Sequence, residues 1–113
     1  GQADADRIIG LAKPEPSGEA AGLEHFVNVF RGHDSRWVVS GLLLLVGADG
    51  YVAHGDFVRE SLRHGEAVVR ETALEIFLAN EPGEAAVAAQ CELSAKDACE
   101  AVVRLAKRKL STL

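Results

Sequence analysis

SGLLLLVGADGYVAH, residues 40–54, is the stretch whose conformation decides the fold. As β structure it is a buried strand, a turn at Asp49-Gly50 and a second strand, because Asp-Gly is a strong hairpin signal. As α structure it is the end of a buried helix, a glycine-rich loop and the start of the next helix. Periodicity within Leu42–Val46 does not separate the two, since the run is apolar on nearly every side. The neighbouring sequence has to arbitrate.

Upstream, Leu23, Phe26, Val27 and Phe30 follow the spacing of one helix face, and Gly32 is the expected stop. Asp34 or Ser35 then stands where a helix N-cap is needed. Downstream, an amphipathic segment is expected to begin at Asp56, with Phe57, Val58 and Leu62. Val68, Val69, Ala73, Ile76 and Phe77 repeat the helical spacing through Ala79. Asn80-Glu81-Pro82-Gly83 breaks it, with Asn80 a candidate cap for the next segment and Pro82 suited to a first turn. Residues 84–93 are alanine-rich and helical in pattern. Ser94-Ala95-Lys96-Asp97 has the form of a capping box opening a last helix. Ala95, Ala98, Cys99, Val102, Leu105, Ala106 and Leu110 would then share one stripe. Ahead of all this, residues 1–18 form a leader in which residues 4–12 could make a short helix, broken by Pro14 and Pro16.

Self-comparison favours the helical alternative. At a shift of about 31 residues Phe26 falls on Phe57 and Val27 on Val58, and GHDSRWVVSGLLLLV (32–46) falls on RHGEAVVRETALEIF (63–77), matching His33 to His64, Val38 to Val69 and Leu43 to Leu74. The second phrase has charges between its apolar residues and is clearly an amphipathic helix, so by correspondence the first is a helix too. A further shift of about 29 places Ala73 on Val102 and Ile76 on Leu105, a weaker third copy.

Val69-Arg70-Glu71-Thr72-Ala73-Leu74-Glu75-Ile76 resembles the second helix of a HEAT or HEAT-like repeat, and Leu62-Arg63-His64-Gly65 stands where that family turns between paired helices. The resemblance implies an all-α domain over residues 19–113, with about three stacked antiparallel helix pairs in a short α-solenoid. Six helices of roughly 10 to 16 residues fit the length, and about three pairs are the minimum for a continuous core. The family commonly pairs a turn Asp with an Arg of a neighbouring repeat. Here Gly65 replaces Asp34 in the second copy and Val39 stands where Arg70 would be expected, so a continuous polar ladder is not expected. The alternative is an α/β module similar to the start of a roadblock or profilin-like fold, a dimeric scaffold or small-GTPase regulator. It needs more strands than residues 81–94 offer, and alanine is poor strand material.

Composition narrows function by exclusion. The chain has 113 residues, 48% hydrophobic and 26% charged, the composition of an ordinary globular domain. Aromatics are 5%, so Leu, Val, Ala and Ile must build the core. Net charge is -5, which disfavours phosphate-neutralising contact with nucleic acid. The longest apolar run is far too short to span a bilayer, and the expected compartment is the cytoplasm. Cys91 and Cys99 have neither metal-ligand nor redox spacing and read as small buried hydrophobes. No methionine occurs, and the expectation is a domain of a longer protein.

Chemistry-bearing constellations are absent from the pattern. None of His25, His33, His54 and His64 has an i, i+4 partner with an acid between them. His33 and His64 are expected at equivalent turns about 10 Å apart, too far to share an ion whose ligands lie about 2.0–2.2 Å away; as turn residues they would bond to backbone carbonyls. His54 and Asp56 flank Gly55, but a polar-loop pair is ordinarily solvated. The serines lack a nucleophile-elbow context. Gly47–Gly50 is too short for a phosphate loop and has no following Lys, and Asp49 alone is not a calcium loop. No catalytic residue, metal or cofactor is expected. The role implied is that of a non-catalytic protein–protein interaction or regulatory module. All 17 acids precede Arg104, Lys107, Arg108 and Lys109, which leaves an acidic body with a basic end that could bind a partner or self-associate. Candidate partner-binding residues are Trp37 and Tyr51, because exposed aromatics favour interface hot spots, together with Arg104, Lys107 and Arg108.

Overall fold

The computed structural model describes residues 18–31, 33–47 and 49–113, and these contain helices and no strand. The α/β alternative is therefore disfavoured. The helices are α1 (Gly18–Phe30), α2 (Arg36–Val46), α3 (Tyr51–Ser61), α4 (Ala67–Asn80), α5 (Glu84–Ser94) and α6 (Glu100–Leu110). The possible short helix at residues 4–12 and the stop at Gly32 lie outside the described residues. The chain divides into two units, Gly1–Arg31 and Gly32–Leu113. Of the first, α1 is described, with Phe26 and Phe30 stacked one turn apart at 6.3 Å between ring centroids. The second unit holds helices α2 to α6.

Burial resolves the ambiguous stretch. Val39, Leu42, Leu43 and Val46 are buried, the i, i+3, i+4, i+7 spacing of a helix. A strand would bury Leu42, Leu44 and Val46 on one face, yet Leu44 is 70% exposed. Ser35 caps the helix, its hydroxyl accepting from the Val38 amide at 3.4 Å. At the other end Gly47 takes φ 47°, the region that favours glycine, and donates to the Leu43 carbonyl at 3.0 Å. Gly50 closes the corner: its amide donates to the Val46 carbonyl at 2.8 Å, and a Cβ there would lie 2.8 Å from that oxygen. The Asp-Gly signal is thus real, but it marks a link between helices.

Three boundaries differ from the sequence reading. Helix α3 begins at Tyr51 rather than Asp56, with a kink at His54 (φ -123°, ψ 24°) that separates its first turn from the amphipathic part. Asn80 ends α4 instead of capping α5; its side-chain amide donates back to the Ile76 carbonyl, and Gly83 occupies the N-cap. Ser94 ends α5, so Ser94–Asp97 is not a capping box, and the last helix begins at Glu100 behind Cys99.

Packing is organised around α4, which lies against α2, α3 and α6. Helix α5 pairs with α6, as α3 pairs with α4. The helices α2, α4 and α6 therefore form a row. Their buried positions correspond: Leu42, Leu43 and Val46 in α2 match Ala73, Leu74 and Phe77 in α4. Val69 and Ala73 match Val102 and Ala106 in α6, at a shift of about 33 residues. The third copy is thus one turn further along than the sequence comparison placed it. A four-residue slip nearly completes a 3.6-residue turn and keeps the same face inward. Phe57, Leu43 and Leu74 are among the largest fully enclosed side chains, each worth roughly 1.5–3 kcal/mol on burial.

Candidate interaction surface

The turns preceding α2, α4 and α6 share one device. In each, a side chain two residues before the N-cap residue accepts that residue's backbone N–H. His33 Nδ1 takes the Ser35 amide at 2.9 Å, His64 Nδ1 the Glu66 amide at 3.0 Å, and Asp97 Oδ1 the Cys99 amide at 2.8 Å. His33, His64 and Asp97 are thus equivalent positions, although one of the three is a different residue type.

Side chains join these turns to one another. His64 Nε2 lies 2.8 Å from the His33 carbonyl oxygen. Because Nδ1 accepts from Glu66, this contact requires the neutral tautomer protonated at Nε2, which donates to the carbonyl. Arg36 reaches Glu66 at 3.5 Å. Arg70 holds Asp97 bidentately, Nε to Oδ2 at 2.8 Å and Nη2 to Oδ1 at 3.0 Å. Its Nη1 also donates to the carbonyls of His64 and Gly65. The guanidinium holds the Asp97 carboxyl below its ordinary range against the opposing effect of burial, and Asp97 raises Arg70 in turn. The Asp–Arg rung not expected from positions 34, 39 and 65 thus exists, between Arg70 and the third turn.

On the opposite, inter-pair corner, Tyr51 donates its hydroxyl to Glu81 Oε1 at 2.7 Å, and Arg59 lies 3.4 Å from both oxygens. Burial first, then the Glu81 carboxylate, push the Tyr51 phenol up to about 12.

Both ring nitrogens of His64 are engaged, and the open cleft of about 470 Å³ beside it is lined by Asp34, Glu60, Ser61, Arg63, His64, Gly65 and Glu66. Burial raises the Cys91 thiol and so disfavours the thiolate. Among the described residues no group of three His, Cys, Asp or Glu side chains is placed to hold a metal ion. No helix among them is long and apolar enough to cross a membrane.

The five sequence candidates separate. Trp37 is 74% exposed on α2, with the Arg36 guanidinium 5.0 Å from its ring centroid. Arg104, Lys107 and Arg108 are exposed on α6, Arg104 pairing with Glu100 at 3.4 Å. Tyr51 is a correction: it is only 7% exposed and committed to Glu81, so it contributes no contact surface. Sequence reasoning missed Leu44 and Leu45, which are 70% and 67% exposed. They lie two turns beyond Trp37, and that spacing was the available signal. The row of helices therefore presents an apolar stripe on α2, Val68 with Glu75 on α4, and a basic end on α6.

No family model, no curated protein and no solved structure matches this chain.

Proposed function

We propose that this chain is a HEAT-like α-solenoid segment that serves as a non-catalytic protein–protein interaction or regulatory module within a larger cytoplasmic protein. In this reading α3/α4 and α5/α6 are successive repeats, and α2 is the second helix of an earlier one. The observation that carries it is the recurrence of one turn device before α2, α4 and α6, with polar rungs between successive turns. A stack of this kind has no need of bond chemistry, and its use lies in the faces it presents. Three large apolar side chains exposed together on α2 make a contiguous patch of the size that is often functional on a soluble surface, and they supply the contact face of this reading. The basic end of α6 supplies charge selectivity at the other side of the row.

The test is crosslinking capture from a native extract with the wild type and two surface variants, Trp37→Ser/Leu44→Ser and Lys107→Glu/Arg108→Glu. All four positions are exposed, so both variants should keep the wild-type helical circular dichroism. A discrete set of proteins lost with either variant is expected. Capture identical to wild type with both would contradict the reading.

A further inference from the structure

The apolar stripe on α2 is self-complementary. A helix apolar on all sides, RWVVSGLLLLV, is normally enclosed. Here one face is, through Val39, Leu42, Leu43 and Val46, while the other carries Trp37, Gly41, Leu44 and Leu45 into solvent. Gly41 lies midway between Trp37 and Leu45 in that stripe. Beyond Gly41 is open space, for a Cβ there would meet no atom within 4 Å.

We infer that the occupant of this face is α2 of a second copy, crossing antiparallel about a two-fold axis at Gly41. This deepens the interaction reading and rests on it. In such a pair residue 37 of one copy faces residue 45 of the other, so each Trp37 covers the partner copy's Leu45, and glycine meets glycine on the axis. The missing side chains let the helices approach at the close end of the usual 8–10 Å range. The contact is isologous, as a closed dimer requires.

Electrostatics agree. The chain is acidic overall, at -5, yet α2 has no acidic residue, so the repulsion between copies is weakest here. Arg36 at the start of α2 would lie beside the end of the partner copy's α2, where the negative end of the helix dipole and the exposed Asp49 favour a cation. Area is sufficient. A tryptophan buries about 150–250 Å², so with two leucines two-thirds exposed the stripe offers roughly 400 Å² per copy. The two copies together then bury roughly 800 Å² from the stripe alone, the contact of a weak, reversible dimer rather than of a permanent one.

The experiment uses the full chain in sedimentation equilibrium, with tryptophan emission followed on dilution. The sequence has one Trp, so emission reports this stripe alone. The wild type is expected at twice the chain mass, with a dissociation constant on the order of 1–100 µM. Its emission should move to longer wavelength as the dimer dissociates. Gly41→Arg and Leu44→Lys point into solvent in the single copy, so each should keep the wild-type circular dichroism while weakening the dimer by at least about 100-fold. A wild type that stays at the single-chain mass with fixed emission overturns self-pairing, as does a dimer indifferent to both variants. If Trp37→Ser/Leu44→Ser still abolishes capture of other proteins in that event, self-pairing alone has failed. If it does not, the interaction face fails with it.

Discussion

Removing the Asp97 carboxylate is the most instructive single perturbation, because that group joins two turns and caps a helix. Asp97 and Arg70 have side chains 13% and 19% exposed, and they share two bonds of 2.8 and 3.0 Å. Oδ1 also accepts the Cys99 amide at 2.8 Å. Breaking a buried pair by deleting one partner costs about 3–5 kcal/mol. Residual exposure and the two backbone carbonyls still bonded to Arg70 lower that figure, whereas the lost end cap adds to it. Asp97→Ala should therefore cost about 3 kcal/mol, and Asp97→Asn, which keeps an acceptor for Cys99, about half as much. Urea unfolding followed by circular dichroism gives these values. A double-mutant cycle with Arg70→Ala should return a coupling of about 1.5–3 kcal/mol. The dependence on pH has a definite sign. A carboxyl held below its unfolded value contributes stability that is complete above the ordinary carboxylate range and is lost as pH falls through the folded value. Asp97→Asn should accordingly flatten the acid limb of the stability curve. A coupling below about 0.5 kcal/mol, the range of an exposed pair, would refute the structural role given to this rung.

Four further outcomes are expected. The chain has one tyrosine, so absorbance titration should place the Tyr51 phenol near 12 in the folded protein and near its ordinary value of about 10 in denaturant. Its contribution to stability should be intact below pH 10 and lost as pH rises toward 12, and equal midpoints in the two states would argue against the burial of Tyr51 and its Glu81 contact. Gly50→Ala should destabilise by at least about 2 kcal/mol, because its Cβ would meet the Val46 carbonyl oxygen at 2.8 Å with no flexible atom to yield; thermal melting indistinguishable from wild type would show that the corner is looser than described. Leu74→Ala on the central helix α4 should cost about 2–5 kcal/mol in urea unfolding, and a loss under about 1 kcal/mol would place Leu74 outside the core. Nitrogen-15 spectra of the His64 ring at neutral pH should show Nε2 protonated and Nδ1 bare; the opposite tautomer would remove the link between the first two turns.

Much of the fold is legible in the sequence because helical packing is periodic. The 3.6-residue period identified α4 unaided, and its correspondence with α2 carried the ambiguous Leu42–Val46 run with it. Periodicity is also what hid the errors. A four-residue slip leaves the buried face unchanged, so the third copy was aligned one turn short. Local chemistry misled at Ser94 and Asn80, both good cap residues. Each is used at the end of its own helix, where Ser94 receives the Gln90 amide and Asn80 bonds back to Ile76. The sequence comparison pairs His33 with His64, but it does not extend the turn device to Asp97, because the acceptor changes there from imidazole to carboxylate. Accepting one backbone N–H demands a lone pair at the right distance, which His33, His64 and Asp97 all supply. The surface was harder still. An all-apolar helix such as α2 gives no sign of which face is uncovered, and Tyr51 looks like any exposed turn aromatic until Glu81 is brought to it.

Everything rests on residues 40–54 being helix, corner and helix. Backbone carbon-13 chemical shifts across this stretch test that most directly. The expected result is helical Cα values through Val46, a break at Gly47, Asp49 and Gly50, and helical values resuming at Tyr51 with a local departure at the His54 kink. Extended values over residues 42–46 and 51–54 would make the Asp49-Gly50 corner a hairpin, and the row of stacked helices would not stand.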